Sequence, residues 1–170
     1  MSQTKEGKSM RTFAAIVLCA GLAVSALSPQ PVAAAEKGKF RGLAVLVNTQ
    51  FQQTKALEGH PGGTQMIGEM DGVVFNDERQ PFLDKAHYQV VWKGDATGGS
   101  CFKTFTMPDG KVFARCEGKP TATGFEGIVV LMGGTGRYAG IKGKGNYNYY
   151  FTSVSPSTAW DVLVWEYEIP

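Results

Sequence analysis

Histidine and cysteine are almost missing from this chain, with two and three copies respectively among 170 residues. A metal centre needs nitrogen or sulfur donors at close, regular spacing. His60 and His87 have no such spacing to each other or to a cysteine pair, so no metal site is expected. No serine stands in Gly-x-Ser-x-Gly, which leaves the corresponding hydrolase triad without support. Charge of one sign is lacking too. Lys and Arg number 17 against 15 Asp and Glu, and with three basic and one acidic residue in the first thirty-five positions, fourteen of each remain beyond them. A nucleic-acid partner wants a clustered positive field, which a balanced chain does not provide. Arg137, Lys142 and Lys144 form a small basic group that reads as an ordinary solvated rim.

Long apolar runs are confined to the start of the chain. Lys5, Lys8 and Arg11 precede an apolar stretch at 12–27, and Ala33-Ala34-Ala35 then offers the small-x-small pattern of a signal-peptidase site. Residues 1–35 are therefore expected to be a signal peptide cleaved after Ala35, and 36–170 a single domain exported to the periplasm or secreted. The apolar stretch is short for a membrane span, and nothing later resembles one, so no span is expected after cleavage. Cys19 follows the large Leu18, where a lipoprotein signal wants a small residue, so a lipid anchor is not expected.

What the chain has in excess is glycine. Twenty of the 135 residues from 36 onward are Gly, roughly double average usage, and eighteen are aromatic. Glycine serves turns and bulges while Phe, Tyr, Trp, Val and Ile fill strands. Strands are expected at 40–48, 64–76, 86–95, 124–132, 145–152 and 159–169, with a turn of helix at 50–57 and a stop at His60-Pro61-Gly62-Gly63. Tyr88, Val90 and Trp92 alternate with His87, Gln89, Val91 and Lys93. Tyr147, Tyr149 and Phe151 share one face in the same way. Leu163, Trp165, Tyr167 and Ile169 form an apolar parity on which Asp161 also falls. A segment with helical period over ten residues does not occur. Seven or eight strands at this spacing mean an all-β sandwich or barrel.

Cys101 and Cys116 flank Met107-Pro108-Asp109-Gly110, a turn with Pro second and Gly fourth. Folding there sets the cysteines opposite one another if Met107 faces Gly110, or one residue apart if Gly110 forms a bulge. In an oxidising compartment this pair is expected to be a disulfide.

The segment Val129-Val130-Leu131-Met132-Gly133-Gly134-Thr135-Gly136-Arg137-Tyr138-Ala139-Gly140-Ile141-Lys142-Gly143 breaks a β-rich run with a glycine loop. It resembles the strand corner of the allene oxide cyclase and dirigent group of β-barrels over about twenty residues. That resemblance implies an eight-stranded antiparallel barrel of calycin-like shape with a cavity, often assembled from several copies, and it implies a structural role for Gly133, Gly134, Gly136 and Gly140. It carries no catalytic residue across, because the matching motif is structural. The same glycines also look like a dinucleotide loop, but the helix such a loop must open is absent, so no cofactor is expected.

An apolar barrel cavity would be lined by Tyr88, Trp92, Tyr147, Tyr149, Trp165 and Tyr167, together with Val90. The weak catalytic candidates are Glu69, Asp71, Glu126 and Asp161, since carboxylates in an apolar site can act as acid and base. His87 could serve as a base on its strand, though a lone strand histidine is ordinarily a surface residue. The expected function is non-catalytic binding of a small apolar molecule, with self-association of the chain. The alternatives are a cyclase, isomerase or coupling-directing enzyme acting on an apolar intermediate, and a side-chain-filled barrel serving as an interaction module.

Overall fold

A computed structural model describes residues 35–54, 63–152 and 157–170. The first 34 residues of the expected leader lie outside that range, as do His60 and residues 55–57. Eight strands follow in order: β1 (Glu36–Gln53), β2 (Met66–Asn76), β3 (His87–Gly94), β4 (Gly99–Met107), β5 (Gly110–Pro120), β6 (Gly124–Gly136), β7 (Lys142–Phe151) and β8 (Thr158–Ile169). Each pairs antiparallel with the next, and β1 pairs with β8, so the sheet closes into the expected eight-stranded antiparallel barrel. Closure gives every strand a neighbour on both sides. Among the described residues there is no helix.

The period-2 alternation sets the interior. On β8, Ala159, Asp161, Leu163, Trp165, Tyr167 and Ile169 are all buried, while Trp160, Val164 and the two glutamates between them face outward. The opposite parities of β1 and β3 supply Phe40, Ala44, Leu46, Tyr88 and Val90. Glycine makes room for the largest rings: a Cβ on Gly145 would lie 2.9 Å from the Trp165 ring and 2.0 Å from the Val164 carbonyl oxygen.

Two expectations need correction. Residues 50–53 continue β1 as strand after a bulge between Asn48 and Gln50 and form no helical turn. Gln50, Phe51, Gln52 and Gln53 each find a partner on β2, and this ladder overrides the weak helical preference of a glutamine-rich stretch. The glycine loop is also shorter than its sequence suggests. Strand β6 runs on to Gly136 with a register shift opposite Phe113 and Ala114, and β7 starts at Lys142. The reversal itself is a four-residue turn at 137–140, with Gly136 at φ 59° and Gly140 at φ 78°, conformations that side chains resist. The cysteine hairpin takes the first of its two expected registers: Met107 faces Gly110, Cys101 stands directly opposite Cys116, and the two form the expected disulfide with Cα atoms 5.0 Å apart.

The connection between β2 and β3 closes one end of the barrel. Phe82 and Leu83 fold inward from it and are buried. Phe82 stacks on Tyr167 at 4.0 Å and meets Phe40 edge-on at 5.7 Å. Asn76 holds the segment in place: its Nδ2 donates to the Phe82 carbonyl at 2.9 Å, and its Oδ1 accepts from the Glu78 amide at 2.8 Å.

Candidate functional site

At the other end the interior is incompletely filled. Leu46, Met70, Val90, Trp92, Phe125, Tyr147, Tyr149 and Phe151 surround a cavity of about 60 Å³. Tyr149 spans part of the cup, its hydroxyl 3.4 Å from the Met70 sulfur. Trp92 lies over Gly68, where a Cβ would come within 2.6 Å of the indole nitrogen.

The floor of this apolar cup is charged. Lys103 of β4 and Asp161 of β8 form an ion pair with both side chains only 2% exposed. The Lys103 ammonium donates to Asp161 Oδ2, and the Tyr88 hydroxyl donates to the same oxygen at 2.8 Å. The Lys103 nitrogen also sits 4.4 Å from the centre of the Tyr147 ring and 5.4 Å from that of Tyr88, so aromatic faces replace part of its hydration. Asp161 Oδ1, by contrast, has no hydrogen-bond partner among the described residues. A buried ion pair offsets its desolvation only when the remaining lone pairs are satisfied, and this one is satisfied on one oxygen.

Burial governs proton affinity at the floor. Removal from water pushes the Lys103 ammonium below its ordinary range, opposed by the charge and hydrogen bond of Asp161. Burial raises the Tyr88 hydroxyl well above its ordinary range, reinforced by the charge of Asp161 and the hydrogen bond to it. Tyr147 and Tyr149 are pushed up to about 12, first by burial and then by the charge of Asp161. Tyr88 therefore stays a neutral donor at any physiological pH.

The structure distributes the expected site residues unevenly. Trp92, Tyr147 and Tyr149 line the cup, and Tyr88 supports its floor through Asp161. Trp165 and Tyr167 lie elsewhere: Trp165 packs against Phe40 and Phe105 at 5.1 Å each, and Tyr167 belongs to the stack on Phe82. Of the four carboxylates, only Asp161 is inside. Glu69 is exposed, Asp71 meets His87 at 3.1 Å on the outer wall, and Glu126 pairs with Lys119 at 3.3 Å, because all three fall on the outward parity of their strands. Lys103 is the residue that the sequence reading missed. A signal existed, since Lys103 shares the inward parity of β4 with Cys101, Phe105 and Met107.

Fold and floor together define a closed antiparallel barrel with an apolar cup built over a buried lysine–aspartate–tyrosine cluster. No family model matches the chain, and no curated protein matches it. Among solved structures it is similar to a pyocyanin demethylase, at 18% identity and TM-score 0.44 over 73% of this chain and 98% of that one. It is also similar to the Diels Alderase AbmU from Streptomyces koyangensis, at 16% identity and TM-score 0.47 over 82% of this chain and 72% of that one.

Proposed function

We propose that the protein is an exported barrel that binds a small, mostly apolar molecule in the cup and sets the molecule's one polar group against Lys103 and Asp161, without catalysis. The observation that carries this is the buried, unpartnered Oδ1 of Asp161, a residue that borders the mostly apolar cup together with Lys103. A buried acceptor left unmade costs ~1–3 kcal/mol, which a donor on a ligand would recover. The walls supply apolar contact and the floor supplies orientation, the usual division of labour in a small-molecule site. Export is supported by the Cys101–Cys116 disulfide.

Self-association belongs to the same proposal. On the outer wall Val45 pairs with Trp160 on one side and Val73 on the other, and all three are exposed. Exposed apolar patches of this kind tend to mark contacts. Sedimentation at micromolar concentration giving only the monomer mass would remove that part.

An enzyme acting on an apolar intermediate is the competing reading, and burial narrows its acid–base group to Asp161, the one buried carboxylate among the described residues. The deciding measurement is native mass spectrometry of protein purified from its own host. A co-purifying small molecule, lost in an Asp161→Asn variant that still folds, is the expected result. A wild-type protein that carries nothing and binds no member of a panel of aromatic alcohols overturns the binding reading.

A further inference from the structure

The Lys103–Asp161 pair has features that a purely structural ion pair does not need. Lys103 is the one buried lysine among the described residues, and it borders the cup rather than the filled half of the barrel. Its nitrogen lies between an aspartate oxygen and the faces of two tyrosine rings. A primary amine in an apolar pocket, with a carboxylate in contact to take its proton, is the arrangement from which lysines attack carbonyl groups.

We propose that Lys103 binds its ligand covalently and reversibly, as a protonated imine with a small aromatic aldehyde. This inference rests on the reading of the cup as a ligand site and names the ligand's reactive group. In the step, the Lys103 ammonium gives a proton to Asp161, and the free amine adds to the aldehyde carbon, forming a C–N bond. The added nitrogen passes one of its protons to the carbonyl oxygen, and the resulting hydroxyl leaves as water with the proton held by Asp161. Aldehyde plus ammonium becomes iminium plus water, with no oxidation or reduction and no change in charge. That last point is what favours the reaction here. The iminium carries the same positive charge as the ammonium it replaces, so the buried aspartate faces a cation before and after the reaction and a neutral pair in between, and no uncompensated charge is created. The rings of Trp92, Phe125, Tyr147 and Tyr149 around the cup suit a flat aromatic substituent on that carbon.

The test uses benzaldehyde as the probe and benzyl alcohol as its non-carbonyl counterpart. The intact protein is incubated with benzaldehyde and cyanoborohydride at neutral pH, and the trapped adduct is located by peptide mapping. The expected result is one benzyl adduct on the peptide containing Lys103, slowed at least tenfold in Asp161→Asn and absent at that position in Lys103→Arg. Binding of benzyl alcohol is followed separately by tryptophan fluorescence, with Trp92→Phe assigning the signal to the cup. If benzyl alcohol binds but the aldehyde labels only exposed lysines, the imine is wrong and the cup remains a binding site. If neither compound perturbs Trp92, the reading of the cup falls with it. Should the Lys103 and Asp161 variants fail to fold, competition on the wild type decides: excess benzyl alcohol must protect Lys103 from labelling, and undiminished labelling overturns the proposal.

Discussion

At one end of the barrel Phe40, Phe82, Tyr138 and Tyr167 pack ring against ring, Leu83 is buried, and a pocket of about 40 Å³ remains where Phe82, Tyr138 and Tyr167 meet Glu36 and Arg137. At the other end Phe125, Tyr149 and Phe151 meet with ring centres 5.4–6.5 Å apart, Trp92 lies 6.1 Å from Phe51, and a cavity stays open among them. Both ends use the same inward alternation and the same kinds of residue. Among the described residues the difference is the segment that crosses the end. The connection between β2 and β3 sends two apolar side chains inward, whereas the turn between β3 and β4 is a tight one held by Asp95, whose Oδ1 accepts from the Thr97 amide at 2.7 Å and from its hydroxyl at 2.6 Å. A filled end serves stability, and an open one leaves apolar surface and a charged floor within reach of a ligand.

The largest expected contrast is between truncations at the two ends. Trp165→Ala removes a ring that is 1% exposed among Phe40 and Phe105, and should cost ~3–5 kcal/mol, as large aromatic truncations in packed cores do. Phe151→Ala removes a ring that is 54% exposed and should cost under about 1 kcal/mol. Urea unfolding of both variants checks this, and equal losses would mean that the open end is packed as tightly as the closed one.

The floor between the two ends comes next. Asp161→Ala leaves the Lys103 charge buried without its counter-ion and should destabilise by ~3–5 kcal/mol. The double variant Lys103→Met with Asp161→Leu should fall only ~1–3 kcal/mol below wild type, because an apolar pair of similar volume removes the desolvation cost along with the attraction and only the Tyr88 hydroxyl loses its acceptor. A double variant as unstable as the single one would show that the ion pair is a net stabiliser. Ligand binding should be lost in both.

How much of this contrast could be read from the sequence follows from what a period of two can say. Alternation reports which wall of the sheet a residue faces, and it placed Tyr88, Val90, Tyr147 and Asp161 inside. It does not report height along the barrel axis, which is set by the register between strands. Trp165 and Tyr167 were therefore expected beside Tyr147 and Tyr149, yet pair with Phe40 and Gly38 toward the closed end. The segment 77–85 reads as a charged connection, and nothing in its composition announces that Phe82 and Leu83 turn inward. Lys103 was missed for a different reason. A lone lysine in a strand is assumed to face water, although the buried cysteine two residues earlier had already set its parity.

The disulfide sharpens the comparison less strongly. Cys101 borders the cup and ties β4 to β5 across a sequence separation of 15 residues. In the chain-entropy model a closed loop of that size stabilises by ~3 kcal/mol. Reduction should lower the urea midpoint by a corresponding amount without abolishing the fold, since closure of the barrel does not depend on it. Mass spectrometry of the non-reduced protein should show no free thiol at Cys101 or Cys116.

The smallest expected effect separates the two ends by proton affinity. Tyr138, near the closed end, is pushed up to about 12 by burial and then by its hydrogen bond to Asp109, 3.2 Å away. Tyr147 and Tyr149, at the cup, are also pushed up to about 12, by burial and then by the charge of Asp161. All three have a folded-state value above that of an unfolded tyrosine, about 10. The stability they contribute is therefore fully present below pH 10 and is lost as the pH rises toward 12, where the unfolded chain ionises first. Absorbance titration at 295 nm should show these tyrosines ionising late in the native protein and near pH 10 in urea. Asp109→Asn should bring Tyr138 down and leave the other two in place. A bound ligand should do the reverse, delaying Tyr147 and Tyr149 further by excluding water from the cup while Tyr138 is unmoved. If ligand shifted all three together, the two ends would be one coupled interior, and the division between a filled half and a binding half would have to be abandoned.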